Sequence, residues 1–127
     1  MQVDLEKAAL LFQSLTDITR LRILRLFLTV PDELCLCDVS EALNEPTYKV
    51  SRHLKALREA GLLHSQREGR WLYHRVVDDK STDKSLFRFL AAVQDSKGLF
   101  ELDCCRLKSR RKKTAERCSG KQERGRA

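Results

Sequence analysis

The first third of the chain carries two apolar stripes with helical spacing. One consists of Leu5, Ala8, Ala9, Phe12 and Leu15 and predicts a first helix that ends before Thr16. Thr16-Asp17 is a typical N-cap sequence, so a second helix is predicted to follow it and to end at Pro31-Asp32. Its apolar face is broad and contains Leu21, Ile23, Leu24, Phe27 and Leu28. Each stripe needs an apolar partner, which indicates a helical core.

Two shorter helices are predicted next, on either side of the turn Asn44-Glu45-Pro46. The third helix is expected to begin near Asp38, whose carboxylate can accept hydrogen bonds from the free amides of the first turn. Its buried residues are Val39, Ala42 and Leu43. The fourth helix is predicted from Tyr48 to Ala60, with Thr47 as N-cap. Its buried stripe is Val50, Leu54 and Leu57, and its opposite face is basic.

A β-hairpin and a fifth helix complete the predicted fold. Residues 63–67 and 70–76 have strand character, and Glu68-Gly69 supplies the turn between them. The fifth helix has a wide apolar face of Leu86, Phe87, Phe89, Leu90 and Val93, which favours dimerisation together with the first helix. The order predicts a mainly α, dimeric winged helix-turn-helix fold of four helices, two strands and a last helix.

Length and composition agree with one small domain. The chain has 127 residues, and no apolar run reaches the ~18 residues that cross a bilayer. The first residues do not resemble a secretory signal, so a cytoplasmic protein without a membrane partner is expected. In that reducing compartment, the five cysteines are predicted to be free thiols, metal ligands or redox sensors rather than disulfides.

The positive charge is concentrated at the C-terminus. The net charge is +7, but residues 1–105 carry fifteen basic and sixteen acidic side chains, whereas residues 106–127 carry ten and two. We therefore predict a winged-helix and dimerisation domain over residues 1–97. Residues 98–127 are predicted to be a basic, cysteine-containing tail that is partly disordered.

A second basic region predicts a DNA-binding surface on the fourth helix and the hairpin, or wing. The segment from Thr47 to Arg75 contains seven basic and two acidic side chains. Candidate contacts to bases or phosphates from the fourth helix are Thr47, Tyr48, Lys49, Ser51, Arg52 and His53. Arg67, Arg70 and Arg75 are candidates on the wing. Two alternatives stay open, because His53 can instead pack between helices and Glu68 can pair with the wing arginines.

The pair Cys35-Leu36-Cys37 lies directly before the predicted DNA-reading unit. Residues 33–39 (ELCLCDV), with residues 15–24 (LTDITRLRIL) and 51–62 (SRHLKALREAGL), resemble the arsenite-responsive branch of the ArsR/SmtB family of bacterial repressors. The resemblance covers about residues 15–76. It implies a homodimeric repressor on an inverted-repeat operator in double-stranded DNA. The repressor would be released by trivalent arsenic or antimony, as arsenite, antimonite or methylarsenite, and would need no cofactor.

The resemblance has two departures. That branch often has a third cysteine three positions after the second, where this chain has Ser40, and no histidine lies beyond His74 to form the zinc site of the zinc-sensing branch. Trivalent arsenic prefers three thiolates. Cys104 and Cys105 are therefore candidate ligands beside Cys35 and Cys37, from the same or the partner subunit, and a methylated arsenical would need only two thiolates.

The position of the two thiols also predicts a trigger. Residues i and i+2 of an ideal helix point about 200° apart, so chelation by Cys35 and Cys37 should unwind the start of the third helix if the segment is helical. Two other functions could use a cysteine pair of this kind. A thiol-based redox or persulfide sensor with the same fold is the alternative. An enzyme is not expected, because no base accompanies a nucleophilic cysteine.

Overall fold

The core is built from the apolar faces that the sequence predicts. A computed structural model describes residues 4–77 and 84–120, with side chains as far as residue 114. The helices and strands are α1 Leu5–Ser14, α2 Ile18–Thr29, β1 Leu34–Cys35, α3 Leu36–Leu43, α4 Thr47–Glu59, β2 Leu63–Glu68, β3 Trp71–Val76, α5 Lys84–Ala92 and α6 Leu99–Gly120. Fully buried residues from α2, α3 and α4 pack in one cluster, including Ile23, Leu24, Val39, Val50, Leu54 and Leu57.

The winged helix-turn-helix prediction is confirmed. The wing is the antiparallel hairpin of β2 and β3, paired from Leu63 with Val76 to Glu68 with Trp71. Its turn contains Gly69 at a φ of 64°, a left-handed conformation that glycine adopts without steric cost. The turn between α3 and α4 begins at Asn44, which also has a positive φ of 55°. Within the described ranges, no helix is long and apolar enough to span a membrane.

A short third strand was not predicted. β1 pairs antiparallel with β3, so that Leu34 lies opposite His74 and Cys35 lies opposite Tyr73. The sheet therefore has the order β1-β3-β2. Two residues are too few to show the alternation that identifies a strand. This pairing joins the wing directly to the residue that precedes α3.

Two predicted helix starts are wrong by one or two residues, whereas the Asp17 cap is confirmed. The Asp17 carboxylate accepts from the Arg20 amide at 3.2 Å. α4 begins at Thr47, and Pro46 is its N-cap. The proline ring holds φ of Pro46 at −63°, a value that also suits a helix, while its ψ of 147° is extended. α3 begins at Leu36 with Cys35 as N-cap, and Asp38 is the third helical residue, where it completes a capping box.

The C-terminal segment differs most from the prediction. Residues 99–120, within the tail that the sequence predicts to be partly disordered, form the helix α6, which packs on α3 and α2. Leu107 is fully buried, and Asp103, one turn before it, is 1% exposed. The helix is mostly polar, and among its described side chains only Asp103 and Leu107 are buried, so almost no apolar periodicity marks it in the sequence. Residues 121–127 lie outside the described residues, as does the side chain of Cys118.

A buried ion pair attaches α6 to the core. Arg22 of α2 donates to both carboxylate oxygens of Asp103, at 3.0 and 2.7 Å, and to the Leu43 carbonyl at the end of α3 at 3.1 Å. The Asp103 hydrogen bond raises the pKa of Arg22 and outweighs the effect of burial. A bidentate pair of this kind fixes orientation as well as distance. It therefore fixes α6 against α2 and the end of α3.

Replacing Asp103 tests how much α6 depends on this pair. Asp103→Ala leaves Arg22 buried without its carboxylate, which should lower the free energy of unfolding by about 3–5 kcal/mol. Urea unfolding followed by circular dichroism measures this loss. Lys108→Ala, at an exposed position of the same helix, is the control and should change stability by less than about 0.5 kcal/mol. Equal midpoints for both variants would contradict the assigned role of the pair.

Candidate functional site

Cys35 and Cys37 line the same cavity. Cys35 is the extended N-cap of α3, with φ −90° and ψ 171°, whereas Cys37 lies in the first turn. The cavity of about 290 Å³ lies between the start of α3, the helix α4 and the wing; its other lining residues are Leu36, Ser51, Leu54, Arg58, Arg67, Arg70, Trp71, Leu72 and His74. The segment is therefore not regularly helical at Cys35, and the predicted need to unwind α3 for chelation does not apply.

The thiol of Cys35 is held by the capping box. The carboxylate oxygen Oδ2 of Asp38 accepts hydrogen bonds from the Cys35 amide at 3.0 Å and from the Cys35 Sγ at 3.3 Å. Burial raises the pKa of Cys35, and the adjacent carboxylate raises it further, which outweighs the backbone hydrogen bonds that lower it. Cys35 is thus a thiol at neutral pH. Any thiophilic centre that binds it must displace its proton.

The other oxygen of Asp38 binds α6. Arg110 Nε donates to Asp38 Oδ1 at 2.8 Å, and Arg110 Nη1 donates to Glu41 at 2.9 Å. Burial alone would raise the pKa of Asp38, but the hydrogen bonds from Arg110 and Cys35 lower it below its ordinary value. One residue further on, Arg111 donates to Asp32 and to the Glu33 carbonyl. The helix α6 therefore contacts the segment on both sides of Cys35.

The two other candidate thiols lie elsewhere in the chain. Cys104 lines a different cavity, beside Phe100 and Glu101, and Cys105 is exposed. Across residues 4–77 and 84–120, no group of three or more histidine, cysteine, aspartate or glutamate side chains is arranged to hold a metal. Ser40, at the position of the missing cysteine, donates its hydroxyl to the Glu45 carbonyl. A single subunit thus brings together two of the four candidate ligands.

The predicted DNA-contacting residues of α4 divide into exposed and engaged side chains. Thr47, Tyr48, Ser51 and Arg52 are exposed at the start of the helix, and Tyr48 is 68% exposed although it is aromatic. Lys49 pairs with Glu45 at 3.0 Å. His53 accepts a hydrogen bond from Arg20 of α2 at 3.1 Å through its Nδ1 atom, and burial lowers its pKa. The contact between helices that was left open for His53 is therefore present.

The wing arginines Arg67 and Arg70 are exposed, and no described carboxylate is their partner. Arg67 and Arg70 lie on either side of the Gly69 turn and also line the cavity of the two thiols. In the part of the chain that the structure describes, neither of them forms an ion pair with Glu68. Their charges are available to a phosphate or another anion.

Sequence reasoning missed two residues of this cavity, Arg58 and His74. His74 is 2% exposed, and its Nδ1 has no hydrogen-bond partner among the described residues. Burial, together with the charge of Arg58, lowers the pKa of His74 to about 4, so the imidazole is neutral at pH 7. Arg58 lies within residues 51–62, which carry the resemblance, but nothing in that stretch points toward the cysteines, and His74 lies outside all three stretches. The pairing of Leu34 with His74, which brings β3 to the cysteine segment, is visible only in the folded chain.

Comparison with known proteins agrees with this architecture. Residues 17–65 match the family described as "Bacterial regulatory protein, arsR family". The arsenical resistance operon repressor of Escherichia coli is 47% identical over 66 residues, 52% of this chain and 56% of that protein. The arsenical resistance operon repressor of Bacillus subtilis is 33% identical over 94 residues, 74% of this chain and 86% of that protein. The chain thus spans little more than half the length of the Escherichia coli repressor.

The fold has a similar neighbour among solved structures. A homodimeric winged helix-turn-helix DNA-binding domain from Mycobacterium bovis, described as a possible ArsR-family transcriptional regulator, superposes with a TM-score of 0.57. The two sequences are 26% identical, and the match covers 72% of this chain and 82% of that one. The matched architecture is the winged helix on which the thiol cavity is built.

The raised pKa of Cys35 predicts a shifted pH profile of alkylation. In a variant in which Cys37, Cys104, Cys105 and Cys118 are replaced by serine, the rate of alkylation by iodoacetamide should reach half its plateau at a higher pH in the folded protein than in urea. Burial disfavours the thiolate, so the proton stays on sulfur to higher pH. The denatured variant is the matched reference. An equal or lower midpoint in the folded protein would contradict this assignment.

Proposed function

Because the chain belongs to the ArsR family of bacterial regulatory proteins, we propose that it is a repressor that binds operator DNA as a homodimer. Trivalent arsenic or antimony, bound by the thiolates of Cys35 and Cys37, releases it from the operator. The single observation that carries the proposal is the shared cavity: the two thiols, the recognition helix α4 and the wing line one space. The chain is a transcriptional regulator related to arsenic-resistance repressors and not an enzyme.

The shape and charge of α4 support DNA binding. Its buried stripe of Val50, Leu54 and Leu57 fixes the helix on the core. The exposed side carries Tyr48, Ser51, Arg52 and Lys55, spaced to lie on one face of the helix. A helix of this kind enters the major groove, and the wing arginines Arg67 and Arg70 reach the phosphates or the minor groove beside it.

Exposed apolar side chains support a homodimer. Leu5, Leu10 and Phe12 of α1 are 86%, 62% and 63% exposed, and Phe89 of α5 is 67% exposed. A monomer rarely leaves so many large apolar side chains in water, and a second copy with the same faces can cover them. Two-fold symmetry would present two α4 helices to half-sites about 34–36 Å apart, which requires an inverted repeat.

The chemistry of the two thiols supports a soft, thiophilic inducer. Trivalent arsenic and antimony prefer sulfur ligands, and both thiols border one cavity. Cys35 belongs to β1 and caps α3, while the cavity is also lined by α4 and the wing, so a bound centre lies in a space that borders every part of the proposed DNA-reading unit. Release requires that the ligand bind the free protein more tightly than the DNA complex, by a coupling of about 1–3 kcal/mol.

Operator binding followed by fluorescence anisotropy under reducing conditions tests the inducer. Arsenite, antimonite and methylarsenite should raise the dissociation constant of the operator complex about 5- to 150-fold, while zinc and cadmium have less effect. Cys35→Ser and Cys37→Ser should retain operator binding and lose the response, because each removes one sulfur. Cys105→Ser, at an exposed thiol outside the cavity, is the control and should respond like the original protein.

Two outcomes would reject this assignment. A full arsenite response in both Cys35→Ser and Cys37→Ser would place the inducer elsewhere. Release by an oxidant or persulfide, with no arsenite response in the reduced protein, would replace the metalloid sensor by a thiol-based redox sensor on the same fold.

Substitutions on α4 and the wing test the DNA surface separately. Arg52→Ala and Arg67→Ala should each weaken operator binding and reduce the slope of log K against log salt by about 1, if each arginine neutralises a phosphate. If Arg52 instead contacts a base edge, Arg52→Ala should lower the preference for the operator over random DNA at an unchanged salt slope. Lys108→Ala on α6 is the basic control. Unchanged binding of both arginine variants across the salt range would contradict the proposed surface.

A further inference from the structure

The cavity of Cys35 and Cys37 has the properties of an anion site. Three arginines line it, Arg58, Arg67 and Arg70, and its lining residues include no aspartate or glutamate. Within the described ranges none of these arginines has an ion-pair partner. The imidazole of His74, 98% buried, adds the ring nitrogen Nδ1, which has no hydrogen-bond partner among residues 4–77 and 84–120. Arginines without an acidic partner point to an acidic ligand.

The same cavity offers too few sulfur atoms for inorganic trivalent arsenic. Arsenic forms a pyramid with three thiolates, but only two cysteines line the cavity. Ser40 is engaged with the Glu45 carbonyl, and Cys104 lines the cavity beside Phe100. A third sulfur could enter with a small molecule, because this space opens to solvent next to exposed Arg67 and Arg70.

We propose that this cavity binds trivalent arsenic together with a small acidic thiol, such as a thiol peptide that carries carboxylates. The sulfur of that molecule is the third arsenic ligand, and its carboxylates are bound by Arg58, Arg67 and Arg70. The apolar lining of Leu54, Trp71 and Leu72 contacts its carbon chain. The volume of about 290 Å³ is at the small end of ligand pockets, which suits one short molecule. This inference rests on the proposed arsenic response.

The reaction is a ligand exchange without a change of oxidation state. Arsenite is As(OH)₃, and each of three thiols transfers its proton to a departing hydroxide. Three As–O bonds break, three As–S bonds form, and three molecules of water are released. Two of the sulfurs are those of Cys35 and Cys37, and the third belongs to the acidic thiol. Arsenic remains trivalent throughout, so no oxidant or reductant is needed.

The proposal also explains why the inducer and DNA would exclude each other. Arg67 and Arg70 are the wing residues assigned to phosphates, and the carboxylates of the bound thiol would neutralise the same guanidinium groups. Each ligand would therefore lower the affinity for the other by the same factor, as linkage requires. Release would then arise from competition for charge and not only from a change of shape.

The test uses the full chain with Cys104, Cys105 and Cys118 replaced by serine, so that only Cys35 and Cys37 remain. Arsenite is titrated with glutathione, 2-mercaptoethanol or cysteamine at equal concentration, and complexes are identified by native mass spectrometry. Glutathione should give a complex of one subunit, one arsenic and one thiol. It should also lower the apparent arsenite dissociation constant about tenfold relative to 2-mercaptoethanol, as expected for one or two charge-assisted hydrogen bonds.

Matched arginine variants separate the cavity from charge in general. Arg58→Gln and Arg70→Gln should lose the preference for glutathione. Arg75→Gln, at an exposed wing position that does not line the cavity, should keep it. Methylarsenite needs only two sulfurs, so its affinity should not depend on the charge of the added thiol. Circular dichroism of each variant verifies the fold.

The outcomes distinguish this inference from the proposed function. Arsenite binding that is equally strong with all three thiols, or that gives a complex without any added thiol, overturns the acidic-thiol site and leaves the arsenic sensor intact. A preference for glutathione that persists in both Arg58→Gln and Arg70→Gln also overturns it. No arsenite binding to Cys35 and Cys37 with any thiol overturns the arsenic sensor itself.

Discussion

The carboxylate of Asp38 is the constraint on which the thiol region depends. One oxygen accepts from the amide and the sulfur of Cys35, and the other accepts from Arg110 of α6. It therefore completes the start of α3, orients the thiol and attaches the C-terminal helix. Because its own pKa is lowered, it stays ionised and keeps these contacts at neutral pH. The same negative charge opposes ionisation of the thiol, so the uncharged resting state is built into the capping box.

Two groups of contacts attach α6 along α3. At the thiol end they are Arg110 with Asp38 and Glu41, and at the far end they are the Asp103 pair with Arg22, which also binds the Leu43 carbonyl. A ligand that takes the sulfur of Cys35 removes the S–H donor from Asp38. The carboxylate then keeps the Cys35 amide and Arg110 as partners. In our proposal, this loss changes the contacts that Asp38 of α3 makes with Cys35 on one side and with Arg110 of α6 on the other.

Most of the helical fold could be predicted from the chain because its apolar residues repeat with the period of the structure they form. This holds for the stripes of α2 and α4 and for the Asp17 cap. The prediction fails for α6, because this helix is held in place by Leu107, by Asp103 and by ion pairs to residues about 70 to 80 positions away in the sequence. The cysteine pair was visible as a motif, whereas Arg58 and His74 reach it only through folding. No local pattern encodes such long-range contacts.

The pairing of β1 with β3 has a consequence for how a signal can travel. Cys35 is opposite Tyr73 in the sheet, one residue from His74 and a few residues from the tip of the wing. The proposed arsenic ligand Cys35 and the hairpin that we propose to contact DNA thus share a ladder of backbone hydrogen bonds. Such a protein needs no separate sensory module. In our proposal, the inducer and DNA bind to adjoining residues of one small sheet, so a substitution there should change the affinity for both ligands.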